Sequence, residues 1–241
     1  AISNLRTKGN VAKVYSSLDK LSASISALKS GNVDFVVIDA DVAKSLVAAN
    51  AGTKVIDIAL TVEKYGIAVD PNQEELLAQI NNILATKTEE IDAIFAKYAD
   101  VNDNNAANWS GDVIPAGEYD ASKNQLVVAT NAQFAPFEFT VGNGFAGIDM
   151  EMAKLIADEL GMELVISDMK FEAVVSSIGK NGVDIALSGM TINPVREKII
   201  NFSTPYFDSA YQVVIVNEDD TTFDDCKTTE DMLNVIKSLS K

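Results

Sequence analysis

"VDIALSGMTINPVREK", residues 183–198, is the stretch of sequence that decides the fold. Its apolar beginning predicts a buried strand, and Ser188 and Gly189 predict the turn at which that strand ends. Pro194 suits the first position of a helix, so we predict that a helix begins there with Arg196 in its first turn. Ligands of open α/β sheets collect at the carboxyl ends of strands, and this strand end is therefore a candidate binding site.

The residue types at this strand end suit a carboxylate. Gly189 has no Cβ, so a ligand can approach its backbone closely, and Thr191 offers a hydroxyl. The unpaired amides of a helix start and the guanidinium fork of Arg196 both favour an anion. The alternative is that Arg196 forms an ordinary surface ion pair with a neighbouring acid such as Glu197 or Asp208.

Outward from this stretch, β-branched runs alternate with helical patterns along most of the chain, which predicts the α/β class. The exception is "DVNDNNAANWSGDVIPAGEYDASKN", residues 100–124, which is polar and has no period. We interpret this segment as a linker or a loop draped over the surface. The α/β pattern begins again after it.

The chain also contains an internal echo. With an offset of 150 residues, "LSASISALKSGNVDFVVID" lies over "FEAVVSSIGKNGVDIALSG". Any two αβ units share an apolar period, but here Asp34 and Asp184 also follow matched valines in similar turns. The echo therefore favours two related lobes, with Asp39 and Gly189 at equivalent strand ends.

Composition excludes several classes of function. The 241 residues carry a formal net charge of −16, which argues against nucleic acid as a partner. One cysteine and no histidine exclude an internal disulfide, the common zinc sites and histidine-based triads. We therefore predict no metal, no cofactor and no catalytic residue, and the longest apolar runs are too short to span a bilayer.

A second candidate segment is "TNAQFAPFEFT", residues 130–140. Phe134 and Phe137 suit a hydrophobic core, the usual place of aromatic residues at a strand end. If the preceding strand is a parallel neighbour of the strand at 183–187, however, Asn131 and Phe134 lie at the same carboxyl edge as Gly189. An aromatic wall beside a carboxylate site could hold a small zwitterion.

Several segments together resemble the amino-acid-binding family of ABC-transporter solute-binding proteins. They are "NQLVVATNAQFAPFEF", "GIDMEMAKLIADELG", "NGVDIALSGMTINPVREKIINFSTPYF", "VDFVVIDADVAKSLV" and "YGIAV" followed by two helices. The resemblance implies a two-lobed α/β fold of the periplasmic type II class, each lobe being a mixed sheet flanked by helices. It further implies an extracytoplasmic protein, in a periplasm or lipid-anchored at the outer face of the cell membrane, that closes on a free amino acid and delivers it to an ABC permease.

The same resemblance implies how the ligand head group is held. Arg196 corresponds to the arginine that clamps the α-carboxylate, with the help of Thr191. Gly189 corresponds to the residue whose carbonyl accepts from the α-amino group, with Ser188 beside it. Asp39 corresponds to the acid of the other lobe that pairs with the ammonium.

The side chain of the ligand would meet three further residues. Phe134 and Phe171 correspond to the aromatic residues that sandwich it. Asn131 lies where a family member often has an acid that recognises the side chain. Because asparagine carries no charge, we predict a neutral or polar amino acid rather than a basic one.

The order of segments differs from the family. We predict a second-lobe segment at residues 1–60, a return segment packing on the first lobe at 61–98, a linker at 99–124, the first lobe with the main ligand motif at 125–216 and the start of the second lobe at 217–241. Such an order indicates either a circular permutation or a chain cut across two tandem copies. A family strand and its Gly/Thr-rich turn have no counterpart here, so the second lobe has an open strand edge that could support domain-swapped self-association.

Two other functions stay open at this point. The same fold hosts an amino-acid dehydratase, which needs a general acid over the ligand side chain. Glu138 and Glu172 adjoin the aromatic wall, but we expect both to point to solvent, so we predict that the chain is not an enzyme. The other alternative is a sensor ectodomain, or a permuted or truncated form with impaired binding.

Overall fold

The computed structural model of the chain describes residues 18–239, which fall into two compact units. Unit 1 contains residues 18–63 and 209–239, and unit 2 contains Lys64–Asp208. The β-branched stretch "VAKVYSS", residues 11–17, predicts a strand, and it lies outside the described residues. The five-segment division of the chain, with its circular permutation or tandem origin, stays a prediction.

Helices and strands alternate along the chain as the α/β pattern predicts. The helices are α1 (Leu18–Lys29), α2 (Ala40–Ala49), α3 (Glu74–Thr86), α4 (Thr88–Lys97), α5 (Ile148–Leu160), α6 (Phe171–Ser177) and α7 (Thr229–Leu239). The strands are β1 (Val36–Asp39), β2 (Thr53–Tyr65), β3 (Ala68–Val69), β4 (Ile114–Pro115), β5 (Gln125–Thr130), β6 (Gln133–Phe134), β7 (Glu138–Val141), β8 (Gly144–Ala146), β9 (Glu163–Asp168), β10 (Ile185–Ala186), β11 (Asn201–Phe202) and β12 (Phe207–Asn217).

Unit 1 is built on a sheet with the strand order β1-β12-β2. The central strand β12 is buried on both faces because its side chains alternate between two apolar clusters. Val213 and Ile215 pack with residues of α1 and α2, whereas Val214 and Val216 pack with Phe223 and residues of α7. The strand β1 runs antiparallel to β12 and ends with Asp39 opposite Gln212.

Unit 2 is built on a mixed sheet with the strand order β11-β3-β10-β5-β9. The strands β10, β5 and β9 are parallel, and β3 is antiparallel to both of its neighbours. All six residues of β5 are buried, as a continuous apolar run in a central parallel strand requires. Helices flank this sheet, so the predicted α/β class with mixed sheets and flanking helices is confirmed.

A smaller antiparallel sheet, with the strand order β4-β8-β7-β6, completes unit 2. The sequence did not predict these short strands. One of them, β4, belongs to the segment that we interpreted as a linker or loop. That segment packs closely on unit 2, because Trp109 stacks on Tyr98 with ring centroids 4.7 Å apart and Ile114 pairs with Phe145.

Local sequence signals mark several helix ends. Gly31 and Gly161 follow α1 and α5 with φ of 71° and 65°, a left-handed conformation that glycine adopts without a Cβ clash. Thr228 caps the last helix. Its Oγ1 accepts from the amide of Asp231 at 3.2 Å, and Asp231 Oδ2 accepts from the amide of Thr228 at 2.9 Å, a reciprocal capping box.

Candidate functional site

The carboxyl ends of β5 and β10 meet at one edge of the unit 2 sheet. Ala186 of β10 pairs with Ala129 of β5 in parallel register, so the residues after the two strands become neighbours. The amide of Asn131 donates to Ser188 Oγ at 3.1 Å. The predicted adjacency of "TNAQF" and "SGMT" at one strand edge is therefore confirmed.

Ser188 is buried and uses its hydroxyl within the protein. Besides accepting from Asn131, its Oγ donates to Glu138 Oε1 at 2.9 Å. Glu138 is only 1% exposed, so our expectation that it points to solvent was wrong. Both the first residue of β7, Glu138, and the second, Phe139, are buried, because both faces of the small sheet are covered at this end. Glu172 on α6 is exposed, as expected.

Gly189 needs to be glycine for two reasons. Its φ is +46°, in the left-handed region, and a Cβ at this position would lie 2.6 Å from Cε1 of Phe134. The ring of Phe134 therefore packs directly over the Gly189 backbone, and it also stacks on Phe137 with centroids 5.5 Å apart. The amide of Gly189 donates to Asp149 Oδ2 at 2.8 Å.

Asp149 and Glu138 form a buried acidic pair behind this strand end. Asp149, in the first turn of α5, is fully buried and accepts a second hydrogen bond from the Tyr206 hydroxyl at 2.8 Å. Burial raises the pKa of Glu138 well above its usual range, and the neighbouring Asp149 raises it further. Burial also raises the pKa of Asp149, to about 6, against the opposing hydrogen bonds from Gly189, Tyr206 and Glu138.

The helix predicted to begin at Pro194 is absent from the structure, which describes this segment. A turn at Pro194 and Val195 leads into a single 3-10 turn, Arg196–Lys198. The amides expected to face an anion are already bonded, because Val195 N and Arg196 N both donate to Asn193 Oδ1 at 3.0 Å. The prediction of a helix beginning at Pro194 was therefore wrong, whereas an anion site at this turn, with Arg196 as its cation, stays a prediction.

The guanidinium of Arg196 is held from two sides. Its Nη1 donates to the carbonyl of Thr191 at 2.8 Å. Its Cζ lies 5.4 Å from the ring centroid of Phe171, a cation–π contact with the first residue of α6. Thr191 is itself fixed, since it forms an isolated antiparallel bridge with Tyr65.

The predicted site residues thus fall into two linked groups in unit 2. In the first group, Asn131 bonds to Ser188 and Phe134 packs on Gly189. In the second group, Arg196 contacts both Thr191 and Phe171. Asp39 lies in unit 1, at the end of β1. Its role toward an ammonium group, and the sandwich by Phe134 and Phe171, stay predictions.

Sequence reasoning missed Asp149, Tyr206 and Tyr65. Asp149 has the position of an ordinary helix N-terminal acid, and such acids usually face solvent. The ring of Tyr65 lies 5.2 Å from that of Phe137 and 6.5 Å from that of Phe134, so it supports the aromatic wall from behind. The sequence signal that could have revealed Asp149 is its two apolar neighbours, Ile148 and Met150. Both of them are buried, as Asp149 is.

Residues 18–239 contain neither a metal-binding cluster nor a membrane-spanning helix. Within that range, three or more His, Cys, Asp or Glu side chains nowhere gather into a group that could ligate a metal ion. Nor does any helix in the same range have the length and apolarity needed to cross a membrane.

The fold, with mixed sheets flanked by helices, is of the periplasmic type II class. Residues 126–240 match the model of the family "Bacterial extracellular solute-binding proteins, family 3". The matched segment, just under half of the chain, is thus similar to this family.

Among curated proteins, the chain is 35% identical over 95 residues to the arginine-binding extracellular protein ArtP of Bacillus subtilis, a match covering 39% of this chain and 37% of ArtP. It is 37% identical over 82 residues to the cyclohexadienyl dehydratase of Pseudomonas aeruginosa, covering 34% of this chain and 31% of the dehydratase. The chain therefore spans well under half the length of these relatives.

Among solved structures, the arginine-bound form of domain 1 from TmArgBP is 35% identical, with a TM-score of 0.35. The match covers 48% of this chain and 93% of that domain.

Proposed function

We propose that the chain binds a free α-amino acid as the extracytoplasmic receptor of an ABC importer. The observation that carries this proposal is the placement of the Arg196 guanidinium at the strand-end site, against the Thr191 carbonyl and the Phe171 ring. A planar, pre-oriented guanidinium suits the two oxygens of an α-carboxylate. The names of relatives such as ArtP support an amino acid as the ligand.

The proposal includes where the protein acts and with which partners. The family description supports an extracellular or periplasmic location, and we include attachment by a lipid anchor as the finer alternative. The partner would be an ABC permease that receives the amino acid. Domain-swapped self-association is a separate prediction, which size-exclusion chromatography with light scattering would test.

We propose that the side chain of the ligand carries an N–H group that donates a hydrogen bond to Asn131. The Nδ2 of Asn131 donates to the carbonyl of Met169 at 2.9 Å, which fixes the amide so that Oδ1 is its acceptor side. No described residue is seen to donate to this Oδ1. A neutral carboxamide such as that of glutamine would satisfy it without adding a charge, whereas the names of arginine-binding relatives favour a guanidinium.

A binding role is better supported than a dehydratase role. One relative is named cyclohexadienyl dehydratase, so the alternative has to be considered. Of the two acids near the aromatic wall, however, Glu138 is engaged with Ser188 inside the protein and Glu172 is exposed. Neither observation supports a general acid held over a ligand. Incubation with a cyclohexadienyl acid should therefore give no aromatic product.

A thermal-shift screen of the twenty free amino acids, followed by calorimetric titration, tests the proposal. One amino acid or a few should raise the melting temperature. Whether glutamine or arginine binds more tightly then shows whether the ligand side chain is a neutral carboxamide or a guanidinium. If none of the twenty stabilises the protein, the receptor function is wrong for this chain.

Arg196→Ala should weaken binding about 100-fold or more, because an α-carboxylate would lose its charged, bidentate partner. Arg196→Lys should recover little of the affinity lost in Arg196→Ala. An ammonium group can neither form two parallel hydrogen bonds to a carboxylate nor stack on Phe171 as a guanidinium does. Lys198→Ala is the matched control, because Lys198 is an exposed cation of the same 3-10 turn. An equal loss in the control would mean that only general charge, and not Arg196, is involved.

A further inference from the structure

We propose that Glu138 and Asp149 form a carboxyl pair that shares one proton and thereby positions the Ser188–Gly189 strand end for the ligand. Each partner holds one residue of that strand end from behind. The part of the proposal that concerns ligand affinity rests on the proposed function. The pair itself rests on the geometry of unit 2 alone.

The hydrogen bonds of Glu138 indicate that it carries the proton. Its Oε1 accepts from Ser188 Oγ at 2.9 Å. Its Oε2 is buried and receives no hydrogen bond from any described donor. A buried carboxylate oxygen without a donor is costly. An oxygen that bears the proton is itself a donor, and the neighbouring Asp149, which raises the pKa of Glu138, is its proposed acceptor.

The hydrogen bonds of Asp149 indicate that it carries the charge. Its two oxygens accept from two different donors, the amide of Gly189 at 2.8 Å and the hydroxyl of Tyr206 at 2.8 Å. A proton on either oxygen would compete with one of these donors. Two ionised carboxylates side by side in a dry interior would repel each other strongly, so one neutral and one charged group is the stable arrangement.

The groups that face the pair are acids and tyrosines. Asp168, at the end of β9, adds to the negative field at Glu138, and its Oδ1 is engaged with the amide of Ala132 at 2.9 Å. Tyr206 faces Asp149, and Tyr65 adds to the field at Tyr206. Of these groups, Asp168 acts on Glu138 directly and raises its pKa, which favours the neutral form.

The pair matters for binding because of what it holds. Gly189 lies in a left-handed conformation, and its amide bond to Asp149 fixes the peptide that precedes it. Ser188 is fixed in turn by Glu138 and by the amide of Asn131. The next peptide carries the Gly189 carbonyl, which is the predicted acceptor of the ligand ammonium. Glu138 and Asp149 are thus positioning residues and do not themselves need to touch the ligand.

The two isosteric variants should behave differently. Glu138→Gln reproduces the protonated state, because its amide can donate to Asp149 while its oxygen accepts from Ser188. Asp149→Asn has a single acceptor, so its NH₂ group must face the Gly189 amide or the Tyr206 hydroxyl. In the ligand-free protein, the Gly189 amide resonance should change little in Glu138→Gln. In Asp149→Asn it should shift upfield and exchange about tenfold faster or more.

The pH dependence of unfolding tests the shared proton independently of any ligand. A carboxyl whose pKa is raised in the folded state stabilises fully at low pH and loses that stabilisation as the pH rises toward its folded value. The folding equilibrium constant of Glu138→Gln relative to wild type should therefore increase by up to about tenfold per pH unit above pH 5. A ratio that is independent of pH would overturn the proposal.

Calorimetric titration with the amino acid found in the screen gives the last comparison. Asp149→Asn should raise the Kd of that amino acid about tenfold. In Glu138→Gln the Kd should stay within about threefold of the wild-type value. Equal losses in the two variants, or an unchanged Gly189 amide in Asp149→Asn, would refute the positioning role. If the wild type binds no amino acid, the proposed function fails, and the amide resonance and the pH series still decide whether the pair exists.

Discussion

The two segments that echo each other in sequence, residues 21–39 in unit 1 and 171–189 in unit 2, share a turn but differ at their strand ends. At equivalent positions of the turn, Gly31 and Asn181 have left-handed φ values of 71° and 50°. At the end of the strand, one segment has Asp39 and the other has Gly189. The two segments thus share the backbone conformation of the turn, and their strand ends are where they differ.

The two segments also differ in their surroundings. The strand β1 pairs with β12 alone in the described sheet of unit 1, whereas β10 lies between β5 and β3 near the middle of its sheet. Asp34 is exposed, but its equivalent Asp184 accepts from the amide of Val127 at 2.9 Å and from Gln73 Nε2 at 3.0 Å. The same local sequence therefore acquires additional bonds where its strand is central.

Gly189→Ala should have the largest effect on stability among the changes that probe this comparison. The left-handed conformation and the contact with Phe134 together should lower the free energy of unfolding by about 2–4 kcal/mol. Gly31→Ala is the matched control, because its φ is also left-handed but the position has open space for a Cβ. It should lose only about 1 kcal/mol. Urea unfolding of both variants measures the difference. Equal losses in the free energy of unfolding would mean that the Phe134 ring moves away from the new Cβ at little cost.

Asp184→Ala should have an intermediate effect. It removes the acceptors of a backbone amide and of the Gln73 side chain, so the free energy of unfolding should fall by about 2 kcal/mol. Asp34→Ala, at the echoing and exposed position, should stay within about 0.5 kcal/mol of wild type. Chemical denaturation at one pH compares the pair, and a large loss in Asp34→Ala would contradict the difference in environment.

Exchange of the turn residues should have the smallest effect. Asparagine tolerates the left-handed region less well than glycine, so Gly31→Asn should lower the free energy of unfolding by about 0.5 kcal/mol. Asn181→Gly should raise it by a similar amount or less, because glycine also gains entropy in the unfolded chain. Melting temperatures measured side by side would check both signs. A gain in Gly31→Asn would show that the two turns are not equivalent.

Long buried runs and end signals were predictable from sequence. The runs around β5 and β12 have no alternative to a central strand, and the parallel neighbours β5 and β10 bring Asn131 to Ser188. Thr228 and Gly161 mark helix ends through local geometry that does not depend on the rest of the fold. These features are fixed by a few neighbouring residues.

The buried acids were not predictable because each is stable only in the presence of the other. An isolated carboxylate between apolar neighbours is expected at the surface, and only the fold brings Glu138 next to Asp149. The failed helix at Pro194 has a different cause. The chain enters β11 at Asn201, only three residues after the 3-10 turn ends, and the Asn193 side chain satisfies the amides that a longer helix would have left open.

The restraint on Arg196 affects the entropy of association. A long, freely rotating side chain loses conformational freedom when a ligand immobilises it, at a cost of about 0.5–1.5 kcal/mol. Here the Thr191 carbonyl and the Phe171 ring have already restricted the guanidinium before any ligand arrives. Most of that entropic penalty is thus incurred during folding, so a carboxylate reaching this turn meets a group with few rotamers left to lose.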